Sequence, residues 1–145
     1  MSSEPRLLLP FLGGFYRMVS DFHWPIIRLA VGGTLFIHGG WSKINGAWQG
    51  LAAGMPKMGI EPAVPMALLV TGLETLGAVC IILGLFTRFF AAAIAIQMAY
   101  ITFVILWPRG FAAYELTLIW GMIFFAIALR GGGPYSLDRK IGREL

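Results

Sequence analysis

Apolar residues fill four long blocks of the chain, roughly residues 24–42, 63–85, 88–106 and 111–129, with short polar or Gly/Pro-rich breaks between them. A helix needs about 20 mostly apolar residues to cross the hydrocarbon core of a bilayer, so each block predicts a membrane-spanning α-helix. Trp24, Trp41 and Trp107 fall at the proposed interfaces, as an aromatic belt requires, whereas Trp120 lies deep in the fourth block.

The breaks predict how the helices connect. Only Phe86 and Thr87 separate the second block from the third, with Gly84 suited to closing one helix and Thr87 to capping the next. Trp107-Pro108-Arg109-Gly110 makes the following turn similarly short, and Gly131-Gly132-Gly133-Pro134 ends the fourth helix. The second, third and fourth helices are therefore expected to be neighbours. The connection over residues 43–62 is longer and rich in Gly and Pro. It stays apolar at Trp48, Leu51, Met55, Met58 and Ile60, which predicts a segment on, or dipping into, the membrane surface. Residues 7–19 mix apolar side chains with Arg17 and predict an interfacial segment, in which Pro10, Gly13 and Gly14 weaken any helix. The start of the chain lacks a basic region followed by a full apolar core, so the first spanning helix is expected to direct insertion itself. The predicted fold class is all-α: one polytopic membrane domain of 145 residues, with a four-helix bundle after an interfacial segment (1–23) and before a cytoplasmic tail (130–145).

Composition agrees with lipid as the solvent. Hydrophobic residues make up 58 % of the chain and charged residues 12 %, against roughly 25 % charged in a soluble domain. The net charge of +4 does not point to nucleic acid, because the basic residues sit between apolar segments and form no tract that could follow phosphates. They do predict orientation. Seven (Arg6, Arg17, Arg88, Arg130, Arg139, Lys140 and Arg143) fall on the side of the termini, and three (Lys43, Lys57 and Arg109) on the other. The positive-inside rule then places both ends in the cytoplasm. The lone cysteine, Cys80, lies in an apolar stretch and reads as a small buried side chain. Recurring Gly and Ala (Gly32, Gly33, Gly39 and Gly40, Gly72 and Gly77, Ala91, Ala95 and Ala99) allow close helix packing and equally suit self-association.

Ionisable side chains inside the apolar blocks carry the candidate chemistry. Each costs roughly 2.5–3.5 kcal/mol on insertion scales and calls for a partner or a purpose. Four are present: Arg28, His38, Glu74 and Glu115. Helical rise places Arg28 about 6 Å inside the first helix and Glu74 about 16 Å inside the second, with Gln97 at a similar depth in the third. These depths predict an Arg28–Glu74 pair joined by Gln97. His38 and Glu115 lie about 7 and 6 Å from the opposite side, and Lys43, Tyr100 and Tyr114 fall near that layer, which predicts a second polar cluster. Three readings stay open for the clusters: structural glue, a site for a small polar or quinone-like molecule, or a proton or ion path. Met55, Met58 and His38 offer too few soft ligands to predict a copper site. The sequence has no phosphate-cradling loop, CxxC, HExxH or nucleophile elbow, so a self-contained enzyme is not expected.

The ordered set Arg28-Leu29-Ala30, His38-Gly39-Gly40 with Lys43, Gly59-Ile60 followed by Pro62, Glu74 with Gly77, and Leu83-Gly84-Leu85-Phe86-Thr87-Arg88 is one part of a longer pattern. It continues through Tyr114-Glu115-Leu116 to Gly133-Pro134-Tyr135-Ser136-Leu137-Asp138. This pattern resembles the DoxX family of small four-helix bacterial membrane proteins, over roughly residues 24–138. The family is named for a relative in a membrane thiosulfate:quinone oxidoreductase, and other members are associated with membrane oxidoreductase assemblies and with thiol or oxidative-stress handling. The resemblance implies an inner-membrane subunit that anchors such an assembly or meets its quinone, with partner subunits or further copies of itself. The chain itself holds no redox ligands or paired cysteines, so a bound quinone or another polypeptide would have to carry the electrons. A purely structural accessory subunit and a small-solute transporter or channel are the alternatives. The sequence lacks the internal inverted repeat or clearly broken helix that many transporters use.

Overall fold

The computed structural model describes residues 9–142, which are mostly helical with no strand among them. Helix α1 (Gly13–Val19) precedes α2 (His23–Leu35), which continues through a π turn at Phe36–Gly40 and a second at Lys43–Ala47. A kink at Asn45 and Gly46 separates it from α3 (Trp48–Gly54). Then follow α4 (Ala63–Leu83), α5 (Thr87–Arg109), α6 (Phe111–Arg130) and the short α7 (Leu137–Ile141).

Helices α4, α5 and α6 are each long and apolar enough to cross a membrane. Helix α2 falls short of that apolarity because Arg28, His38 and four glycines dilute it, yet it packs as the fourth member of the bundle. Val31 and Leu35 of α2 share one core with Ala78 and Ile81 of α4, Ala91, Ile94 and Met98 of α5, and Phe124 and Ile127 of α6. Outward-facing Ile26, Leu68, Leu76, Phe89, Ile96, Ile119 and Phe125 are half or more exposed, an apolar exterior that only lipid or a partner can cover. The protein is an all-helical polytopic membrane protein.

Glycine sets the α2–α4 distance. The helices run antiparallel, with Gly32 against Ala78 and Ile82, and Gly40 against the backbone of Glu74. A Cβ on Gly32 would lie 2.8 Å from the Ile82 side chain, and one on Gly40 would fall onto the Glu74 carbonyl. Gly40→Ala is therefore expected to push the helices apart and lower stability by about 1–3 kcal/mol. A Cβ on Gly33 meets nothing within 4 Å, so Gly33→Ala should be neutral or stabilising by roughly 0.5–1 kcal/mol through helix propensity. Thermal unfolding in detergent distinguishes the two; equal shifts would refute the close-packing account.

The 43–62 connection folds back against the bundle. Ala52 and Met55 are buried against Ala67 of α4 in a second, smaller core with Leu51 and Ile60 around them, which explains why this connection is apolar. In the stretch expected to be interfacial, α1 leaves Phe15, Tyr16 and Met18 exposed and Phe11 lies exposed just before it. Residues 7 and 8 of that stretch, together with Arg6 and Arg143, lie outside the described residues.

Candidate functional site

Two buried polar assemblies occupy opposite halves of the α2–α4 seam. The first is at the end of the bundle where the α4–α5 turn and the tail after α6 meet. Gly84, with φ +70°, closes α4 in the left-handed conformation. Phe86 is also left-handed, at φ 47°, a geometry that costs a bulky L-residue roughly 1–2 kcal/mol. What holds it is Asp138, the second residue of α7. Its carboxylate accepts from the Phe86 amide (2.7 Å), the Thr87 amide (2.9 Å) and the Thr87 hydroxyl (2.7 Å). The Asp138 amide in turn donates to the Gly84 carbonyl at 2.9 Å. Asp138 is thus the N-terminal cap of α5, supplied from beyond α6, and its negative charge also suits the positive end of that helix.

Arg28 of α2 completes this latch. Its guanidinium, 1 % exposed, donates to the carbonyls of Tyr135 (3.2 Å) and Pro134 (3.4 Å). Trp24 donates from its indole nitrogen to the Gly131 carbonyl at 2.9 Å, and Ser136 caps α7 through the Arg139 amide. Glycines make the room: a Cβ on Gly84 would collide with Arg28 Nη1, and one on Gly133 with the Trp24 ring. Arg28 Nε and Nη1 have no hydrogen-bond partner among the described residues.

The second assembly lies where the π turns Phe36–Gly40 of α2 and Leu73–Gly77 of α4 face each other. Such wide turns recur at functional sites. Glu74 is buried, with Lys43 Nζ on its Oε2 and Gln97 Nε2 donating to its Oε1 at 2.7 Å. Lys43 also donates to the Gly39 carbonyl at 3.4 Å. Gly39 is required here, because a Cβ would fall on the Glu74 carboxylate. The remaining acceptor of this triad, Gln97 Oε1, is buried and has no donor among the described residues.

These contacts correct the pairing expected from depth alone. Arg28 does not reach Glu74; it serves the tail, and Lys43 takes the Glu74 carboxylate. Side chains on a helix tilt toward its N-terminus and cover the preceding turn. Arg28 therefore leans toward the tail end, away from Glu74, while Lys43 leans back over Gly39 into the seam. The α2 helix also persists past Ser42, which places Lys43 on the helix and not in a loop. Gln97 does join Glu74.

The expected His38/Glu115 cluster does not form. His38 is exposed and meets the Trp120 ring edge-on at 5.9 Å. Glu115 is exposed and makes no hydrogen bond or ion pair among the described residues. Tyr114 stacks on Trp107 with ring centres 4.9 Å apart, and Tyr100 is 43 % exposed. Sequence reasoning also missed the Thr102–Thr117 hydrogen bond, 2.9 Å, which ties α5 to α6.

A protein-family model, DoxX, matches residues 23–107, more than half of the chain and the part that carries Arg28, His38, Lys43, Glu74 and Gln97. The chain belongs to the DoxX family. In this DoxX protein α6 and the tail lie beyond the matched residues, so Asp138 completes from outside that region a turn that lies within it. A protein from Haemophilus influenzae with no described function is 32 % identical over 87 residues, which cover 55 % of this chain. The chain spans 65 % of that relative's length. No solved structure matches the chain.

Proposed function

We infer that this DoxX protein is a membrane-embedded subunit of a redox assembly, with the Lys43–Glu74–Gln97 triad receiving the head group of a quinone-like molecule. The observation that supports this is the buried Gln97 Oε1, an acceptor with no donor among the described residues, beside an ion pair inside an apolar bundle. An unsatisfied buried acceptor costs about 1–3 kcal/mol. A hydroxyl from a bound head group would remove that cost, and the Lys43 ammonium can donate to a carbonyl. A bound quinone would supply the electron transfer for which the chain has no groups of its own. The Lys43–Glu74 ion pair would lie beside that head group. The reading extends to orientation: the Lys and Arg distribution puts both ends in the cytoplasm of a bacterial cell.

The test is purification in nanodiscs from the native membrane, followed by mass spectrometry of co-purifying polypeptides and of extracted quinone. Stoichiometric quinone is expected, falling by up to about tenfold in Gln97→Leu, the equivalent of one neutral hydrogen bond. Preparations that carry neither quinone nor a redox polypeptide would overturn the reading.

A second reading, a purely structural accessory subunit, is favoured by the other buried charges. Arg28 and Asp138 are engaged in closing the bundle. Its mark is lost assembly after Glu74→Gln, with unchanged activity in each complex that still forms.

A further inference from the structure

Helices α5 and α6 form a groove of about 600 Å³ that none of Lys43, Glu74 and Gln97 lines. Ala92, Ala99, Gly121, Met122 and Phe125 line it, with Arg88, at the start of α5, among the lining residues. The groove exists because α6 is packed on so little of its surface: only 11 % of its apolar window is buried, against 39 % for α4. It runs from Arg88 to Thr102, about 21 Å along α5, and so is longer than the roughly 15 Å depth of one leaflet.

We propose that this groove holds an acyl chain of an anionic phospholipid, whose phosphate lies between Arg88 and Arg130. Charge decides the occupant. Arg88 donates to the carbonyls of Leu129 and Arg130, which fixes its guanidinium across the end of α6. Arg130 follows as the last residue of that helix and is exposed. Both arginines are therefore at the level where a spanning helix leaves the hydrocarbon, and basic pockets between helices at that level suit anionic head groups. A second copy of the chain fits less well. A two-fold axis along the membrane normal would set each basic end against its own image, with no acidic residue on α5 or α6 at that level.

Native mass spectrometry of the full chain, titrated with dioleoyl phosphatidylglycerol or dioleoyl phosphatidylcholine, tests this. Phosphatidylglycerol should bind at least fivefold more tightly, since each arginine near the surface contributes roughly that factor. Arg130→Gln should reduce the preference by roughly fivefold while leaving the Arg88 contacts to α6 in place. Ala99→Leu, which fills the groove without touching a charge, should weaken both lipids. Equal binding of the two lipids would overturn the proposal. So would unchanged binding by a folded Ala99→Leu variant, or disulfide-linked dimers of Ala99→Cys in a Cys80→Ala background.

Discussion

Replacing Asp138 by Ala is expected to lower the stability of the bundle by about 3 kcal/mol or more, although the residue lies in a short helix beyond the last long one. The change removes three hydrogen bonds to one carboxylate. Two of the donors are backbone amides, and bonds to a charged acceptor contribute about 1.5–3 kcal/mol each before relaxation. It also strips the cap from α5, a loss that alone costs about 0.5–2 kcal/mol, and releases the left-handed Phe86 from the contact that holds it. Asp138→Asn keeps one carbonyl acceptor and should cost about half as much. Equilibrium unfolding in mixed detergent, followed by circular dichroism, measures both. A loss below about 1 kcal/mol for Asp138→Ala, the size of an ordinary surface change, would show that the tail does not hold the α4–α5 turn.

The second large effect should come from Lys43. Lys43→Met leaves the Glu74 carboxylate without its cation, and breaking a buried pair from one side costs about 3–5 kcal/mol. Combining it with Glu74→Gln removes the charge that was stranded, so the double variant should recover most of the loss. The coupling energy should be about 2 kcal/mol or more, within the range for residues in direct contact. Exchanging Arg28 and Glu74 should rescue nothing, because the two residues serve different assemblies. Additive losses for Lys43→Met and Glu74→Gln would contradict the pairing.

Much of the architecture was legible because hydrophobic block length is a strong signal in lipid. The structure begins α4 at Ala63 and ends α6 at Arg130, within a residue of the expected limits, and places Gly84 at the end of α4 as its backbone freedom requires. The intramembrane charges were also legible as residues that needed partners. Their pairing was not, since depth along a helix locates a Cα, whereas the direction of a long side chain decides its contacts. That direction sets the contacts of Arg28 and Lys43, and for Lys43 the continuation of the helix past Ser42 adds to it. Thr87 was expected to cap its own helix, and its hydroxyl instead donates to Asp138. That partner is 51 residues away in the chain, and no local spacing rule reaches so far. The tail stood out as Gly-Pro-Tyr-Ser-Leu-Asp, but nothing in its residue types names the helix it would close.

The latch also orders events during synthesis. Phe86 and Thr87 leave the ribosome long before Asp138, and a separation of 51 residues corresponds to roughly 3–10 s of translation. Over that interval the α4–α5 hairpin must sit in the bilayer with the first amides of α5 uncapped by Asp138, until the segment after α6 emerges to meet them. The bundle is thus fastened by a segment made after all four of its long helices, and a ribosome stalled before residue 138 would hold inserted helices that have not yet been locked together.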